Sequence, residues 1–256
     1  VEGTKIIVFF PKDGVSPVQK KQMVTQRGAN THVVGINDNF DDAQTGVKNI
    51  FNDRELEKEL DAAGFQFSSA NSINIGRLIP QVAYYVYSYV TLLARGAVKE
   101  GEPMNVVVPT GNFGNILAAY YAKNMGIPMN KLICASNENN VLTDFFRTGT
   151  YDRMRPLLKT ASPSMDILIS SNLERMLYLA CGDTAKVAGW MKQLSAEGEY
   201  TVDAATLAAI QSVFSAGSCD EAETLQAISN VWNTHHYLMD THTAVAAYCV
   251  AEEPGV

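Results

Sequence analysis

The chain has 256 residues, 46% of them hydrophobic, and a formal net charge of −7 at pH 7. It is long enough to bury a large core, so we predict one large α/β unit or two small ones. Lysine and arginine are scattered, which argues against the basic surface of a nucleic-acid-binding protein. The longest apolar runs are too short for a membrane span and no signal peptide is recognisable, so we expect no membrane partner and a cytoplasmic location.

The spacing of potential metal ligands argues against a metal site. The four cysteines stand far apart and lack C-x-x-C spacing, at Cys134, Cys181, Cys219 and Cys249. Such spacing also disfavours a disulfide framework, and we expect reduced, mostly buried thiols. Adjacent His235 and His236 face different sides of a predicted helix, whereas helical zinc ligands need i, i+4 spacing.

Strands and helices alternate over the first sixty residues. The apolar run 5–10, stopped by Pro11, is typical of a parallel strand covered on both faces. A helix through Thr25 should follow, with Ser16 as N-cap and Pro17 at its first position. The next strand is predicted over residues 31–36, and further helices are predicted to begin at acidic residues, namely Asp41 or Asp42 and Asp53. This β-α-β-α order predicts a doubly wound α/β fold.

The middle of the chain continues the alternation. One long apolar helix is predicted over residues 72–97, with Pro80 near its start. Strands are predicted over 104–108 and 131–136, with a helix over 115–124 between them.

After Tyr151 the pattern changes to helices, with no convincing strand. These helices are predicted over residues 172–180, 184–194, 204–214 and 220–232. We therefore predict an α/β core over residues 1–170, a helical insertion over 171–240 and a return to the core over 241–256.

A glycine-rich turn follows the strand that ends at Pro109. It consists of Gly111, Asn112, Phe113, Gly114 and Asn115, which we call the 111–115 loop. A strand that feeds such a loop into a helix suits an anion, because backbone N–H groups and the helix dipole point the same way. Glycine would let a phosphate approach the backbone closely. Neither G-x-G-x-x-G nor G-x-x-x-x-G-K-[ST] is present, so a phosphate on another ligand is expected. On spacing alone, an ordinary β–α turn is an equal alternative.

A second polar segment, residues 69–77, stands at the entrance to the predicted apolar helix. Asn71, Asn74 and Arg77 recur every three residues and would cluster at the helix N-terminus, with Ser72 beside them. Amide donors and a guanidinium suit an oxyanion such as phosphate. A helix cap with a surface arginine is the alternative, which this segment alone slightly favours.

A third segment, Asp-Thr-His-Thr-Ala-Val, begins at Asp240. Thr243 lies at or near a helix start, where a capping hydroxyl is the commoner role. A hydroxyl aimed at a cofactor ring is the alternative. His242 could act as a base, although a lone histidine near a cap is more often structural.

Together the three segments resemble the threonine synthase family. Ser-Ala-Asn-Ser-Ile-Asn-x-x-Arg, Pro-Thr-Gly-Asn-Phe-Gly-Asn and Asp-x-His-Thr-Ala-Val occur in this order in that family. It belongs to the tryptophan-synthase-β-like, fold type II enzymes that use pyridoxal 5′-phosphate (PLP). Residues 10–17, 135–140 and 164–175 resemble it too, so the resemblance covers essentially the whole chain. The helical stretch after Arg175 is similar to the bacterial and fungal branch.

The resemblance implies a role for each segment. The 111–115 loop would hold the PLP phosphate, and the Thr243 hydroxyl would meet the pyridine nitrogen, favouring a neutral ring. Asn71 and Arg77 match residues that bind the phosphate of O-phosphohomoserine, with Ser72 and Asn74 as less certain neighbours. The implied reaction converts O-phospho-L-homoserine and water to L-threonine and phosphate, the last step of threonine biosynthesis.

One feature of the family is missing from this sequence. The family's Schiff-base lysine lies in an N-terminal part, before a Ser-Gly-Asp-Thr-Gly-type loop, and no lysine here has that context. We therefore assign no catalytic residue and expect a fragment that lacks this part and the extreme C-terminus. The face on which the missing part docks should be apolar, and its exposure would favour self-association of the fragment.

Two alternative functions stay open. The first is another fold type II PLP lyase, such as a serine/threonine dehydratase. Arg77 with Asn71 argues against it, because dehydratase substrates carry no phosphate. The second is a non-catalytic ligand-binding or assembly module, which only the absent lysine supports.

Overall fold

The computed structural model describes residues 3–15, 17–38 and 40–251. It divides the chain into two compact units, Val1–Ser68 and Ser69–Val256. The predicted N-cap Ser16 lies outside the described residues. The predicted three-part domain division stays a prediction.

The first unit contains two parallel strands and three helices. In chain order these are β1 (Ile6–Pro11), α1 (Pro17–Val24), β2 (Thr31–Ile36), α2 (Phe40–Asn52) and α3 (Arg54–Ala62). Asp53 caps α3 as predicted, because its Oδ1 accepts from the N–H groups of Glu55 at 3.0 Å and Leu56 at 3.1 Å. The expectation that β1 is covered on both faces is wrong for its first half. Ile6 and Ile7 are 42% and 58% exposed.

The second unit is built around a three-stranded parallel sheet. Its strands are β3 (Met104–Pro109), β4 (Met129–Ser136) and β7 (Phe214–Ser218), in the order β3-β4-β7. Helix α6 (Gly114–Asn124) connects β3 to β4, so the 111–115 loop lies at the carboxyl edge of the sheet. The predicted α/β fold with parallel strands is confirmed.

The remaining helices of this unit follow the predicted ones closely, except for α7, which we did not predict. They are α7 (Val141–Thr148), α8 (Leu173–Cys181), α9 (Thr184–Glu197), α10 (Ala204–Val213), α11 (Glu221–His235) and α12 (Thr241–Ala251). Cys134, Cys219 and Cys249 are buried, as expected. No helix among the described residues is long and apolar enough to cross a membrane.

Strands also occur after Tyr151, where we predicted only helices. An antiparallel pair joins β5 (Thr150–Asp152) to β6 (Glu199–Thr201), and β7 joins the main sheet. The sequence of β7, Phe-Ser-Ala-Gly-Ser, has little strand propensity. Pairing with β4 imposes the extended conformation, and Phe214 at its start is buried among aromatic rings.

The long helix predicted over residues 72–97 is interrupted. It consists of α4 (Ile75–Leu78), a 3₁₀ turn (Ile79–Gln81) and α5 (Val82–Ala94). Pro80 lies in the turn, where its missing N–H cannot continue the α-helical hydrogen bonding.

The core of the second unit surrounds α6. Ile116 and Leu117 are fully buried, and α12 packs against the sheet through Val245 and Cys249. Because α6 is held on all sides, its N-terminus and the loop before it are fixed in place.

Candidate active site

The 111–115 loop has a well-defined backbone. Thr110 continues the sheet, since its N–H donates to the carbonyl of Ala135 at 2.8 Å. Phe113 caps α6 in the left-handed conformation, with φ of 64°, which non-glycine residues rarely adopt. Its buried ring lies 5.7 Å from that of Phe214, and this packing holds the strained residue in place. The Asn112 side chain accepts from the N–H of Gly114 at 2.9 Å.

Four backbone donors of the loop are left over. The N–H groups of Gly111, Asn112, Phe113 and Asn115 find no protein acceptor among the described residues. Unpaired N–H groups at the N-terminus of an eleven-residue helix provide hydrogen bonds and positive potential together. This donor set fits a phosphate group.

The two glycines of the loop are also required by packing. A Cβ on Gly114 would lie 2.5 Å from the Ser72 Oγ, and one on Gly111 would lie 2.8 Å from the carbonyl oxygen of Ser164. Neither glycine has a left-handed φ. Close packing within the protein thus explains both glycines, while the predicted approach of a phosphate stays a prediction.

The 69–77 segment packs directly against this loop through the contact between Ser72 and Gly114. The Asn71 Oδ1 accepts from the N–H of Ile73 at 3.1 Å, and the Asn74 Oδ1 caps α4 by accepting from Gly76 at 2.9 Å. The alternative of helix capping is therefore realised for Asn74, whereas the Asn71 side chain closes the turn before the helix.

Arg77 lies over the same segment. Its Nε donates to the carbonyl of Ala70 at 3.0 Å. Its two terminal amino groups have no acceptor, and it forms no ion pair, among the residues that the structure describes. An exposed guanidinium with free donors, on the segment that packs against the 111–115 loop, suits a second anion.

Asn115 contributes to the site through its backbone. Its side-chain oxygen accepts from the Tyr85 hydroxyl at 2.6 Å, and its side-chain nitrogen donates to Gln81 at 2.9 Å. Burial raises the pKa of Tyr85, so this hydroxyl stays a donor. Because both ends of the amide are occupied, the N–H of Asn115 is its available group.

Sequence reasoning missed Asn172 and Arg175. Asn172 is fully buried and donates from its backbone and from its side chain to the carbonyl of Asn112, each at 3.0 Å. Arg175 donates to the carbonyl of Ser72 at 3.1 Å. The sequence of this stretch looks like an ordinary helix start, and only its resemblance to the family could have drawn attention to it.

Thr243 lies at the start of α12, where Asp240 acts as the cap. The Asp240 carboxylate accepts from the N–H groups of His242 at 2.9 Å and Thr243 at 3.2 Å, and from the Thr243 hydroxyl. The His242 Nε2 accepts from the N–H of Ser164 at 3.1 Å. Ser164 in turn packs against Gly111. Thr243 is thus joined to the 111–115 loop through intermediate residues, and its predicted contact with a cofactor ring stays a prediction.

The carboxylate of Asp240 gives a pH-dependent prediction. Hydrogen bonds, first of all from the Thr243 hydroxyl, lower the pKa of Asp240, although partial burial opposes them. Because the pKa of Asp240 is lower in the folded than in the unfolded protein, the ionised carboxylate stabilises the fold. This stabilisation is complete above the unfolded-state pKa of about 3.9 and is lost as pH falls through the folded-state pKa. We expect Thr243→Val to raise the pKa of Asp240, as measured by carboxyl-carbon NMR titration. An unchanged pKa would show that the hydroxyl does not bond to the carboxylate.

We compared the sequence of this chain with known proteins. No protein-family model matches the chain. The chain is 48% identical to human threonine synthase-like 1 over 244 residues, which are 94% of this chain and 33% of that protein. It is 38% identical to Schizosaccharomyces pombe threonine synthase over 261 residues, covering 94% of this chain and 49% of that protein.

A solved structure gives the same result. PLP-bound threonine synthase from Brucella melitensis superposes with a TM-score of 0.84 at 42% identity, over 99% of this chain and 52% of that chain. The chain thus spans between a third and about half of the length of these relatives. Over the part that it spans, this chain is similar to threonine synthases in sequence and structure and has the predicted fold type II architecture.

Proposed function

We propose that this chain provides the phosphate-binding part of a PLP-dependent threonine synthase site. The 111–115 loop binds the PLP phosphate, and the 69–77 segment binds the phosphate of O-phosphohomoserine. The observation that carries the proposal is the packing of Ser72 against Gly114, which puts Arg77 and the unpaired N–H groups of the loop on adjoining segments.

The residues of this chain divide the work of binding and orientation. When bound, PLP supplies the electron storage for converting O-phospho-L-homoserine and water to L-threonine and phosphate. The N–H groups of the 111–115 loop hold the phosphate of PLP, and Arg77 holds the negative charge of the departing phosphate of the substrate. Thr243 would meet the pyridine nitrogen through its hydroxyl oxygen, while the hydroxyl donates a hydrogen bond to the Asp240 carboxylate. No proton transfer is assigned to a residue of this chain.

Arg77 gives the first test of the substrate site. In the full-length protein, Arg77→Ala should raise KM for O-phosphohomoserine at least tenfold, because a charge-assisted hydrogen bond is worth about 1.5–3 kcal/mol. The PLP absorbance spectrum should stay unchanged, since Arg77 is not a cofactor ligand. Steady-state phosphate release measures the effect, and Arg95→Ala, an exposed arginine at the end of α5, is the matched control. An unaltered KM would make Arg77 a structural residue.

A second candidate is a PLP lyase that acts on unphosphorylated amino acids. The free guanidinium of Arg77 disfavours it, because serine or threonine offers no phosphate to pair with it. Comparing turnover of O-phosphohomoserine with that of serine and threonine separates the two activities. Absence of all turnover, together with tight PLP binding, would favour a non-catalytic module.

Self-association stays a prediction. The outer face of α5 exposes large apolar side chains, including Tyr84, Tyr87 and Val90, which supports an interface there. Sedimentation velocity over a range of concentrations would measure it.

A further inference from the structure

Asn172 and Arg175 join two segments that are far apart in sequence. Asn172 precedes α8, and its side-chain nitrogen donates to the Ser72 Oγ at 3.1 Å and to the carbonyl of Asn112 at 3.0 Å. One buried amide therefore binds both the 69–77 segment and the 111–115 loop. Its backbone N–H makes a second bond to the same carbonyl of Asn112.

Arg175 completes this bridge from the first turn of α8. Its guanidinium donates to the carbonyls of Ser72 and Ile73 and to the Asn172 Oδ1. No carboxylate pairs with it among the described residues. The planar fork spans two successive carbonyls and the asparagine oxygen at once, which a lysine ammonium cannot reproduce.

We propose that Asn172 and Arg175 are positioning residues that set the separation of the two phosphate sites. The inference rests on the proposed function, in which the 69–77 segment and the 111–115 loop each bind one phosphate. The bridge fixes Ser72 against Gly114, so the substrate phosphate is held at a constant distance from the PLP phosphate. The hydrogen bonds of both side chains go to backbone carbonyls, to Ser72 and to each other, so both residues act through these groups.

The test compares two variants of the full-length protein. Arg175→Lys keeps the positive charge but removes the planar guanidinium that spans the three acceptors. Asn172→Ser keeps the backbone hydrogen bond to the carbonyl of Asn112 but removes the side-chain amide that joins the two segments. We expect each to raise both the PLP dissociation constant and KM for O-phosphohomoserine, by about tenfold, as is typical when groups that orient a binding site are lost. Arg77→Ala should raise KM alone. Arg147→Lys, an exposed arginine in the last turn of α7, should change neither.

Hydrogen–deuterium exchange of the ligand-free protein gives a readout that does not depend on activity. In both variants, the exchange rate should rise at least threefold in the peptides that cover residues 69–77 and in those that cover residues 111–115. The exchange rate of peptides from α9 should stay unchanged. A rise in only one of the two segments, or wild-type behaviour of Arg175→Lys, would overturn the proposal. If the wild type does not act on O-phosphohomoserine, the proposed function fails, while exchange and PLP affinity still decide whether the bridge operates. If one variant fails to fold, as judged by circular dichroism, the other decides.

Discussion

Replacing Gly114 by alanine should weaken PLP binding at least tenfold and destabilise the protein. The new Cβ would lie 2.5 Å from the Ser72 Oγ, 2.9 Å from the Ser72 Cβ and 3.0 Å from the Asn112 Oδ1. Such overpacking of a buried site costs about 1–3 kcal/mol. Relief requires the loop or Ser72 to move. Movement of the loop would displace its unpaired N–H groups, and movement of Ser72 would disturb the packing of the 69–77 segment that holds the loop in place. Fluorescence titration with PLP and urea unfolding measure the two effects.

Gly189 provides the matched control. It lies inside α9, and a Cβ there would meet no atom within 4 Å. Gly189→Ala should therefore leave PLP affinity unchanged and stabilise the protein by up to about 1 kcal/mol. Adding Ser72→Gly to Gly114→Ala removes the two closest atoms, the Oγ and Cβ of Ser72, and should recover part of the lost stability. Wild-type affinity in Gly114→Ala would mean that the loop is only a turn.

The 111–115 loop could be located from the sequence because its signals are local. Three valines and a proline end a strand, two glycines allow close packing, and an alanine-rich run starts a helix. These features act over a few residues and need no knowledge of distant contacts. The same holds for Asp53, whose side chain caps the helix that follows it.

The features that escaped prediction depend on distant partners. β7 is extended because it pairs with β4, eighty residues earlier in the chain. Asn172 and Arg175 matter because they meet Ser72 and Asn112, which no local pattern reveals. Periodicity describes which side of an element is apolar, but not which backbone carbonyl a buried amide will reach.

Thr243 shows how one residue can satisfy two interpretations. The sequence left a cap and a cofactor contact open, and the structure contains hydrogen bonds to Asp240 that belong to a cap. The Thr243 hydroxyl donates a hydrogen bond to the Asp240 carboxylate, so the hydroxyl oxygen can only accept a further hydrogen bond. An acceptor would suit a protonated pyridine better than the neutral ring that the family resemblance implies.

The 256-residue chain by itself should release no phosphate from O-phosphohomoserine. The resemblance to the family predicts a lysine in a context that no lysine of this sequence has, and the positions of three lysines of the second unit agree. Lys131 lies in the first half of β4 and donates to the carbonyl of Gln211 at 2.9 Å, while Lys123 donates to the carbonyl of Met129. Both stand at the amino edge of the sheet, away from the 111–115 loop. Lys186 is paired with Asp203 at 3.0 Å.

Among the lysines of the second unit, Lys159 is the strongest candidate for a Schiff-base lysine. It is exposed and follows Leu158, whose carbonyl accepts from the Asn139 side chain at 2.9 Å, so its backbone is held close to the carboxyl end of β4. The test incubates the purified chain with PLP and O-phosphohomoserine, measures phosphate release, and maps pyridoxyl groups by mass spectrometry after borohydride reduction. We expect no phosphate release above the blank and no single lysine that carries the pyridoxyl group in all molecules. Lys159→Arg should match the wild type in both measurements. Turnover, or a pyridoxyl group fixed on Lys159 and lost in Lys159→Arg, would place the catalytic lysine within these residues, because only a lysine held at the cofactor reacts at one site.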